Sequence, residues 1–202
     1  MKFDKHTAFS VLLLIAVFAA GFAITILLWP APEWNCKSCN VANADISMTS
    51  LLNRQYFNVT RNAIASANES ISIVMYQMKS YETEKNPIKL MHDEMIKAVQ
   101  RGVKVRVLLE KGEYDGKVSS VTKENQKTAS YLKSKGIDVK LDSLEATTHD
   151  KLVVIDDSIV IVGSHNWSFS AMQENNEASV LIENKELADY YADYFEYLWQ
   201  NA

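Results

Sequence analysis

The sequence predicts an α/β domain with a mixed β-sheet flanked by helices, preceded by one N-terminal transmembrane helix. Three observations support this prediction. Short apolar runs typical of strands alternate with segments of helical periodicity between residues 49 and 202. The 202 residues are 48% hydrophobic and include only six Gly and three Pro, a composition typical of a packed core. Residues 7–29 contain no charged side chain.

The first half of the domain alternates between helix and strand patterns. Leu52, Tyr56 and Ile64 recur near helical spacing in its first segment, Pro87 can begin a helix, and Gly102 can end one. The predicted elements are a helix over 49–68, a strand over 71–76, a helix from 87 to 102, a strand over 103–109, a mobile loop over 111–120, a helix ending at 136 and a strand over 137–141.

The second half begins with two apolar runs, 151–155 and 159–162, that are joined by Asp156, Asp157 and Ser158. This pattern is typical of a β-hairpin. A further strand over 178–182 and a closing helix over 187–199 complete the domain. In α/β sheets, ligands bind beyond the carboxyl ends of strands. The loops that follow Tyr76, Leu109 and Gly163 are therefore the candidate binding positions.

Residues 7–29 form an apolar run long enough to cross a bilayer, which takes roughly 20 residues as a helix. Lys2 and Lys5 precede it, which predicts a cytoplasmic N-terminus and places the domain over 49–202 on the far, extracytoplasmic side of a single-pass anchor. Small residues near Ala19–Ala23 leave open a cleaved signal peptide and a secreted protein. Signal peptides have shorter apolar cores, of about 7–15 residues, so the length favours a retained anchor.

Residues 30–48 are predicted to be a linker between the anchor (1–29) and the domain (49–202), because they are rich in Pro, Asn and Ser without sustained periodicity. Cys36 and Cys39 lie within it as a C-x-x-C pair. Zinc would need two more ligands, and no neighbouring Cys or His supplies them. A redox pair would be expected at the start of a helix after a strand. A disulfide in an exported protein, or no role at all, remains open for this pair.

Charge is unevenly distributed along the chain, although the net charge is only −4. Residues 79–140 contain 14 Lys and Arg against 9 Asp and Glu, whereas residues 141–202 contain 2 against 12. The first segment could therefore meet a phosphate-bearing partner, and the second could not. Solvated surfaces of opposite charge are the simpler interpretation of the same counts.

The stretch THDKLVVIDDSIVIVGSHNWS carries the chemical signal of the sequence. It resembles the HKD motif of the phospholipase D superfamily, HxKx4Dx6GSxN, with every specified position filled. Those positions are His149, Lys151, Asp156, Gly163, Ser164 and Asn166. Glu177 also resembles the trailing glutamate of that family. The resemblance covers most of residues 50–202, is greatest to the bacterial endonuclease and mitochondrial cardiolipin hydrolase branch, and implies a phospholipase D-like fold.

The resemblance implies a metal-independent phosphodiesterase without a cofactor, and the chemistry of the residues agrees. His149 can attack phosphorus and form a phosphoramidate, because neutral imidazole is abundant near pH 7. Lys151, two residues along, can neutralise charge on the phosphate, to which Asn166 and Ser164 can donate hydrogen bonds. Glu177 is expected to bind the other imidazole nitrogen of the nucleophile and fix its tautomer.

Two motif residues are predicted to be structural: Asp156 at the hairpin turn, and Gly163 at the end of the following strand. His165, at the free position of GSxN, is expected to be incidental. One motif supplies one histidine, although the reaction needs both a nucleophile and an acid. Short members of the family meet this need by pairing, which predicts a homodimer with its site at the two-fold interface.

Three functions remain open at this stage. A nuclease is favoured by the branch resemblance and by the basic segment 79–140, which could follow a nucleic-acid strand. A phospholipase D or cardiolipin-type hydrolase is the alternative, because an anchor at residues 7–29 would hold the domain near lipid head groups. A catalytically inactive tethered scaffold is least favoured, since the motif is intact.

Overall fold

The computed structural model describes residues 45–202 of the chain, and within this range the chain forms five helices and nine strands. The helices are α1 (Gln55–Ser66), α2 (Pro87–Gln100), α3 (Ser120–Lys133), α4 (Phe169–Gln173) and α5 (Lys185–Asn201). The strands are β1 (Ser47–Leu52), β2 (Ser70–Met75), β3 (Lys104–Leu109), β4 (Glu113–Tyr114), β5 (Lys117–Val118), β6 (Asp138–Leu141), β7 (Lys151–Ile155), β8 (Ile159–Gly163) and β9 (Ala178–Glu183).

Seven of these strands form one mixed sheet in the order β1-β9-β8-β7-β2-β3-β6. The neighbours β2, β3 and β6 run parallel, and the other pairings are antiparallel. The remaining strands, β4 and β5, form a separate hairpin. The predicted α/β class with a mixed sheet flanked by helices is confirmed.

Helices cover both faces of the sheet. The larger core cluster packs the four helices α1, α2, α3 and α4 against one face of the sheet. It includes Ile64, Met91 and Trp167, each fully buried. The smaller cluster lies under α5 and includes Val74 and Phe195. Successive strand residues point to opposite faces, so the central strands must be apolar on both sides. This requirement explains the uninterrupted apolar runs of the sequence.

The predicted helix over 49–68 is wrong at its start, because residues 47–52 form β1 and pair antiparallel with β9. Leu51 is fully buried and Leu52 is 52% exposed, as expected for adjacent residues on opposite faces of a strand. The chain turns at Asn53, whose φ of 52° is left-handed, and α1 starts at Gln55. The helical spacing of Leu52 and Tyr56 was therefore coincidental.

The segment over 111–120, predicted as a loop without regular structure, contains the β4–β5 hairpin. Its two turn residues, Asp115 and Gly116, have φ angles of 50° and 67°. Positive φ at both central positions defines the tight turn that matches the twist of paired strands. The Asp-Gly pair was the sequence signal for this hairpin.

Within residues 45–202, no helix has the length and apolarity that a membrane crossing requires. The anchor predicted over 7–29 lies outside the described range. Cys36, Cys39 and most of the predicted linker 30–48 also lie outside it.

The register of the sheet brings several strand ends together along one side of the sheet. This side, where the strands end, is called the sheet edge below. Met75 at the end of β2 lies opposite Leu109 at the end of β3 and opposite Lys151 at the start of β7. Gly163 at the end of β8 lies opposite Ser179 at the start of β9. Because adjacent strands are roughly 4.8 Å apart, the loops that leave this edge can share one site.

Asp156 occupies the β7–β8 turn at the opposite edge. Its carboxylate accepts hydrogen bonds from the backbone N–H groups of Asn68, Glu69 and Ser70 at 2.9, 2.8 and 2.9 Å. The residue adopts a left-handed φ of 51°, as does Asp157 beside it with 44°. The carboxylate thereby ties the hairpin turn to the start of β2.

Replacing Asp156 with Ala is expected to lower the free energy of unfolding by about 2–3 kcal/mol, because three backbone donors lose a charged acceptor. Urea unfolding followed by tryptophan fluorescence measures the change. Asp157→Ala is the matched control, since that residue is exposed and equally left-handed, and its carboxylate forms no hydrogen bond within residues 45–202. Equal losses in the two variants would contradict the assigned role of Asp156.

Candidate active site at the sheet edge

The Tyr76 ring, just after β2, lies between two of the predicted catalytic residues. The His149 ring is tilted against it, with centroids 4.4 Å apart, and Lys151 Nζ lies 4.9 Å from the Tyr76 centroid. Lys151 Nζ also donates a hydrogen bond of 2.6 Å to the carbonyl of His149. The backbone N–H of Tyr76 donates to the carbonyl of Asp150, which holds the two strands together at this point. The structure therefore brings His149 and Lys151 together.

His149 and Lys151 differ sharply in exposure. The imidazole of His149 is exposed, whereas Lys151 is 6% exposed. Burial lowers the pKa of Lys151 below its ordinary value, and the negative charges of Asp150 and Glu177 act in the opposite direction. A poorly hydrated ammonium interacts with a phosphate more strongly than one in bulk water. The pair combines an exposed imidazole with a largely buried ammonium.

The turn after β8 supplies Ser164, and Gly163 allows it to lie close to β9. A Cβ atom at Gly163 would lie 2.2 Å from Ser179 Oγ and 2.5 Å from the carbonyl oxygen of Ala178, so a side chain would separate the strands. The Ser164 N–H donates to the Ala178 carbonyl at 3.0 Å, and the Ala178 N–H donates to Ser164 Oγ at 3.0 Å. Ser164 Oγ in turn donates to the Glu177 carboxylate.

Asn166 follows on the same turn and is held beside the loop after β2. The backbone N–H of its neighbour Trp167 donates to the Gln77 carbonyl at 3.0 Å, and the backbone carbonyl of Trp167 accepts from the Lys79 N–H at 2.9 Å. The Asn166 amide oxygen is buried and has no hydrogen-bond partner within residues 45–202. An unsatisfied buried polar atom costs about 1–3 kcal/mol, so this amide is available to a ligand or to a second chain.

Glu177 does not reach His149 within one chain. Its carboxylate accepts from Ser164 Oγ and from Asn175 Nδ2, the latter at 3.0 Å. Its backbone N–H donates to Asn53 Oδ1 at 2.8 Å. Within residues 45–202, no hydrogen bond joins Glu177 to His149. The expected orienting contact is thus not formed in a single chain, although Glu177 acts electrostatically on Lys151.

His165, which is expected to be incidental to the chemistry, has a structural role in the fold. It is fully buried and stacks on Tyr56, with ring centroids 4.2 Å apart and planes 11° apart. Its Nε2 donates to the Asn53 carbonyl at 3.0 Å, and its Nδ1 is hydrogen-bonded to Ser179 Oγ at 2.7 Å. Burial lowers the pKa of His165, which favours the neutral ring. The residue ties the turn at Asn53 to β9.

Three residues that sequence reasoning missed fix the backbone just before His149. The Thr148 N–H donates to the Glu110 carboxylate at 2.7 Å, and the Thr148 hydroxyl donates to the Asp142 carboxylate. All three residues are buried, and burial raises the pKa of Glu110. Glu110 and Asp142 directly follow β3 and β6. An acid at the end of an apolar strand run was the available sequence signal.

Within residues 45–202, no group of three or more His, Cys, Asp and Glu side chains could hold a metal ion. The arrangement at the sheet edge offers an exposed imidazole, a buried ammonium and the side-chain amide of Asn166. These groups suit attack on an anionic phosphorus centre.

Comparison with known proteins agrees with a site for phosphodiester chemistry. A family profile described as "Cardiolipin synthase, PLD-like domain" matches residues 60–199. The chain is 29% identical over 203 residues to a phospholipase D of Rickettsia prowazekii (strain Madrid E), which covers 94% of this chain and 91% of that protein. It is 25% identical over 169 residues to the mitochondrial cardiolipin hydrolase of Canis lupus familiaris, which covers 84% of this chain and 56% of that protein.

A solved structure shares the fold. The crystal structure of a phospholipase D family member, Nuc from Salmonella typhimurium, superposes with a TM-score of 0.63 at 22% identity, covering 78% of this chain and 96% of that chain. Because the family profile spans well over half of the sequence, the chain belongs to the PLD-like domain family. The family that the motif resembles is thereby confirmed. The protein is accordingly a phosphodiesterase hydrolase of the phospholipase D superfamily.

Thr148→Val is expected to lower kcat by roughly tenfold with little change in KM, because the hydroxyl bond to Asp142 that helps to hold the backbone next to His149 is lost while the substrate contacts remain. Steady-state kinetics on a small phosphodiester, bis(p-nitrophenyl) phosphate, measures both constants. Thr148→Ser keeps the hydroxyl and the N–H geometry and is expected to restore wild-type kcat. Equal losses in the Ser and Val variants would contradict a positioning role for this hydroxyl.

Proposed function

We propose that the protein hydrolyses phosphodiester bonds of nucleic acid through a covalent phosphohistidine on His149, without a metal ion. The observation that supports this proposal best is the exposed imidazole of His149 beside the buried ammonium of Lys151, both in contact with the ring of Tyr76. This combination provides a nucleophile and positive charge for the phosphate in the same place.

In the first step, an imidazole nitrogen of His149 forms a bond to phosphorus, and the bond from phosphorus to the leaving oxygen breaks. The leaving oxygen takes a proton from an acid. In the second step, water gives its proton to a base and attacks phosphorus, which breaks the nitrogen–phosphorus bond and regenerates the imidazole. Lys151 offsets the charge on the phosphate oxygens in both steps, assisted by the Asn166 amide and by the Ser164 hydroxyl once it turns from the Glu177 carboxylate to the phosphate.

The acid is proposed to be His149 of a second chain, in a homodimer whose site lies at the two-fold interface. The other histidines within residues 45–202 are unsuited to the task. His165 uses both ring nitrogens to hold the turn and β9. His92 is fully buried in the core near Tyr131 and Trp167, and burial lowers its pKa to about 4. The amide oxygen of Asn166, which has no hydrogen-bond partner within residues 45–202, can accept a hydrogen bond from such a second chain.

Nucleic acid is the proposed substrate because the basic segment 79–140 lies between Tyr76 and His149 in the chain. This segment contributes part of the loop after β2, together with strands β3 and β6 and helix α3. Hydrolysis of a phospholipid head group is the alternative. The relatives named phospholipase D and mitochondrial cardiolipin hydrolase favour it. The chain spans just over half of the latter protein. The intact site argues against an inactive scaffold.

A membrane location is part of the proposal. The apolar run over residues 7–29 would anchor the protein with its N-terminus in the cytoplasm and the catalytic domain outside it. Secretion after cleavage of the same run as a signal peptide is the alternative. Protease protection of the domain in intact cells, compared with lysed cells, distinguishes an extracytoplasmic from a cytoplasmic domain.

His149→Ala is expected to lower turnover of single-stranded oligonucleotide by about 10⁴-fold or more, because the nucleophile is lost. Rapid mixing followed by an alkaline quench and mass spectrometry is expected to show a phosphoryl adduct on His149 in the wild-type protein and none in the variant. EDTA is expected to leave the wild-type rate unchanged. Normal turnover of His149→Ala would refute the site, and loss of activity in EDTA would refute the metal-free mechanism.

The same preparation, offered single-stranded DNA, RNA and phospholipid vesicles, tests the substrate class. The proposal predicts faster turnover of a nucleic acid than of vesicles of phosphatidylcholine or cardiolipin. Hydrolysis of the vesicles without hydrolysis of DNA or RNA would contradict the nuclease proposal and favour the phospholipase alternative.

A further inference from the structure

A basic cleft of about 680 Å³ opens beside the candidate active site, between the loop after β2 and helix α3. It contains three lysines and one glutamate. Lys127 is paired with Glu124 at 2.9 Å, whereas Lys79 and Lys123 form no ion pair within residues 45–202. The cleft is completed by the polar side chains Gln77, Ser120, Gln126 and Ser130. Its free positive charge is therefore concentrated on Lys79 and Lys123.

The cleft adjoins the active site through the backbone. Tyr76, which contacts His149 and Lys151, is directly followed by Gln77 and then by Lys79 on the cleft wall. Three residues of extended chain span roughly 10 Å, so a phosphate on Lys79 would lie a short distance from one at His149. The hydrogen bonds between this wall and Trp167 fix its position next to Asn166.

Helix α3 presents two contrasting faces. Ser120, Lys123 and Lys127 recur at helical spacing and line the cleft. The inward face carries Asn125, whose side chain accepts from the Met78 N–H at 2.9 Å and donates to the carbonyls of Tyr76 and Glu110 at 2.8 and 2.9 Å.

The hydroxyl of Thr128, also on the inward face of α3, donates to the Met78 carbonyl at 2.7 Å. These buried polar contacts hold both walls of the cleft at a fixed distance, so the cleft is formed before a ligand binds.

We propose that this cleft binds phosphate groups of a polynucleotide strand that flank the phosphodiester held at His149, with Lys79 and Lys123 as the principal contacts. The inference rests on the proposed nuclease function and specifies how a strand reaches the site. Two unpaired ammonium groups in a preformed polar cleft suit a repeating anion. A phospholipid would bring an acyl chain instead, and every residue that lines the cleft has a polar or charged head group, although alkyl carbons form much of the cleft surface.

The experiment compares the full-length wild-type protein with Lys79→Ala, Lys123→Ala and the double variant. Lys133→Ala is the matched control, because it removes the same charge from the same helix at an exposed position outside the cleft. Two substrates are used: a thymidine dinucleotide with one phosphodiester and a ten-residue oligothymidylate. For the double variant, the ratio of kcat/KM between the ten-mer and the dinucleotide is expected to fall about tenfold. The Lys133→Ala ratio is expected to equal that of the wild-type protein.

Binding is measured separately from cleavage, by fluorescence anisotropy of the labelled ten-mer on chains that carry His149→Ala. Each lost phosphate contact reduces the slope of log Kd against log salt by roughly 0.7 for a single strand. The double lysine variant is therefore expected to show a slope smaller by about 1.4. An unchanged slope and an unchanged kcat/KM ratio would overturn the cleft assignment.

Failure of the nuclease function gives a different pattern. Wild-type protein that hydrolyses vesicles but neither oligonucleotide would refute the proposed function, whatever the lysine variants do to ten-mer binding. If the same variants reduce turnover of cardiolipin vesicles but not of phosphatidylcholine vesicles, the cleft holds the second phosphate of a lipid. That result would also overturn the assignment to a polynucleotide strand.

Discussion

The antiparallel pairing of β7 with β2 is the constraint on which the candidate site depends. It places the start of β7 opposite the end of β2, so that the ring of Tyr76 contacts both His149 and Lys151. Without this register, His149 and Lys151 would still be neighbours in sequence but would not contact a common aromatic ring. A slip of one residue would turn His149 and Lys151 together to the other face of the sheet and separate both from the ring of Tyr76.

Buried polar contacts around this edge stabilise the loops that leave the strands, because these loops lie outside the hydrogen-bond ladders of the sheet. Asn125 fixes the loops after β2 and β3, and Thr148 fixes the residue before His149. His165 fixes the turn after β8. Such groups must be fully satisfied to be tolerated in a core, and these are. The Asn166 amide oxygen at the same edge is buried without a hydrogen-bond partner within residues 45–202, so it can accept a hydrogen bond from a ligand or a second chain.

Much of this arrangement could be predicted from the sequence, because strand periodicity and the spacing from His149 to Asn166 are local properties. The alternation of helix and strand patterns predicted the mixed sheet, and the motif predicted the family. Contacts distant in sequence could not be predicted in this way. The stacking of His165 on Tyr56 joins residues more than a hundred positions apart, and β1 could be recognised only from its pairing with β9. The partners of Glu177 are likewise set by the fold, not by spacing.

The central claim is that one active site requires His149 from two chains. Its most direct test is a mixed dimer with one wild-type subunit and one His149→Ala subunit, purified through two different affinity tags. A shared site loses either its nucleophile or its acid in such a dimer, so the account predicts a fall in activity of at least about 100-fold. Retention of half of the wild-type activity would show that each chain works alone, and would contradict the account.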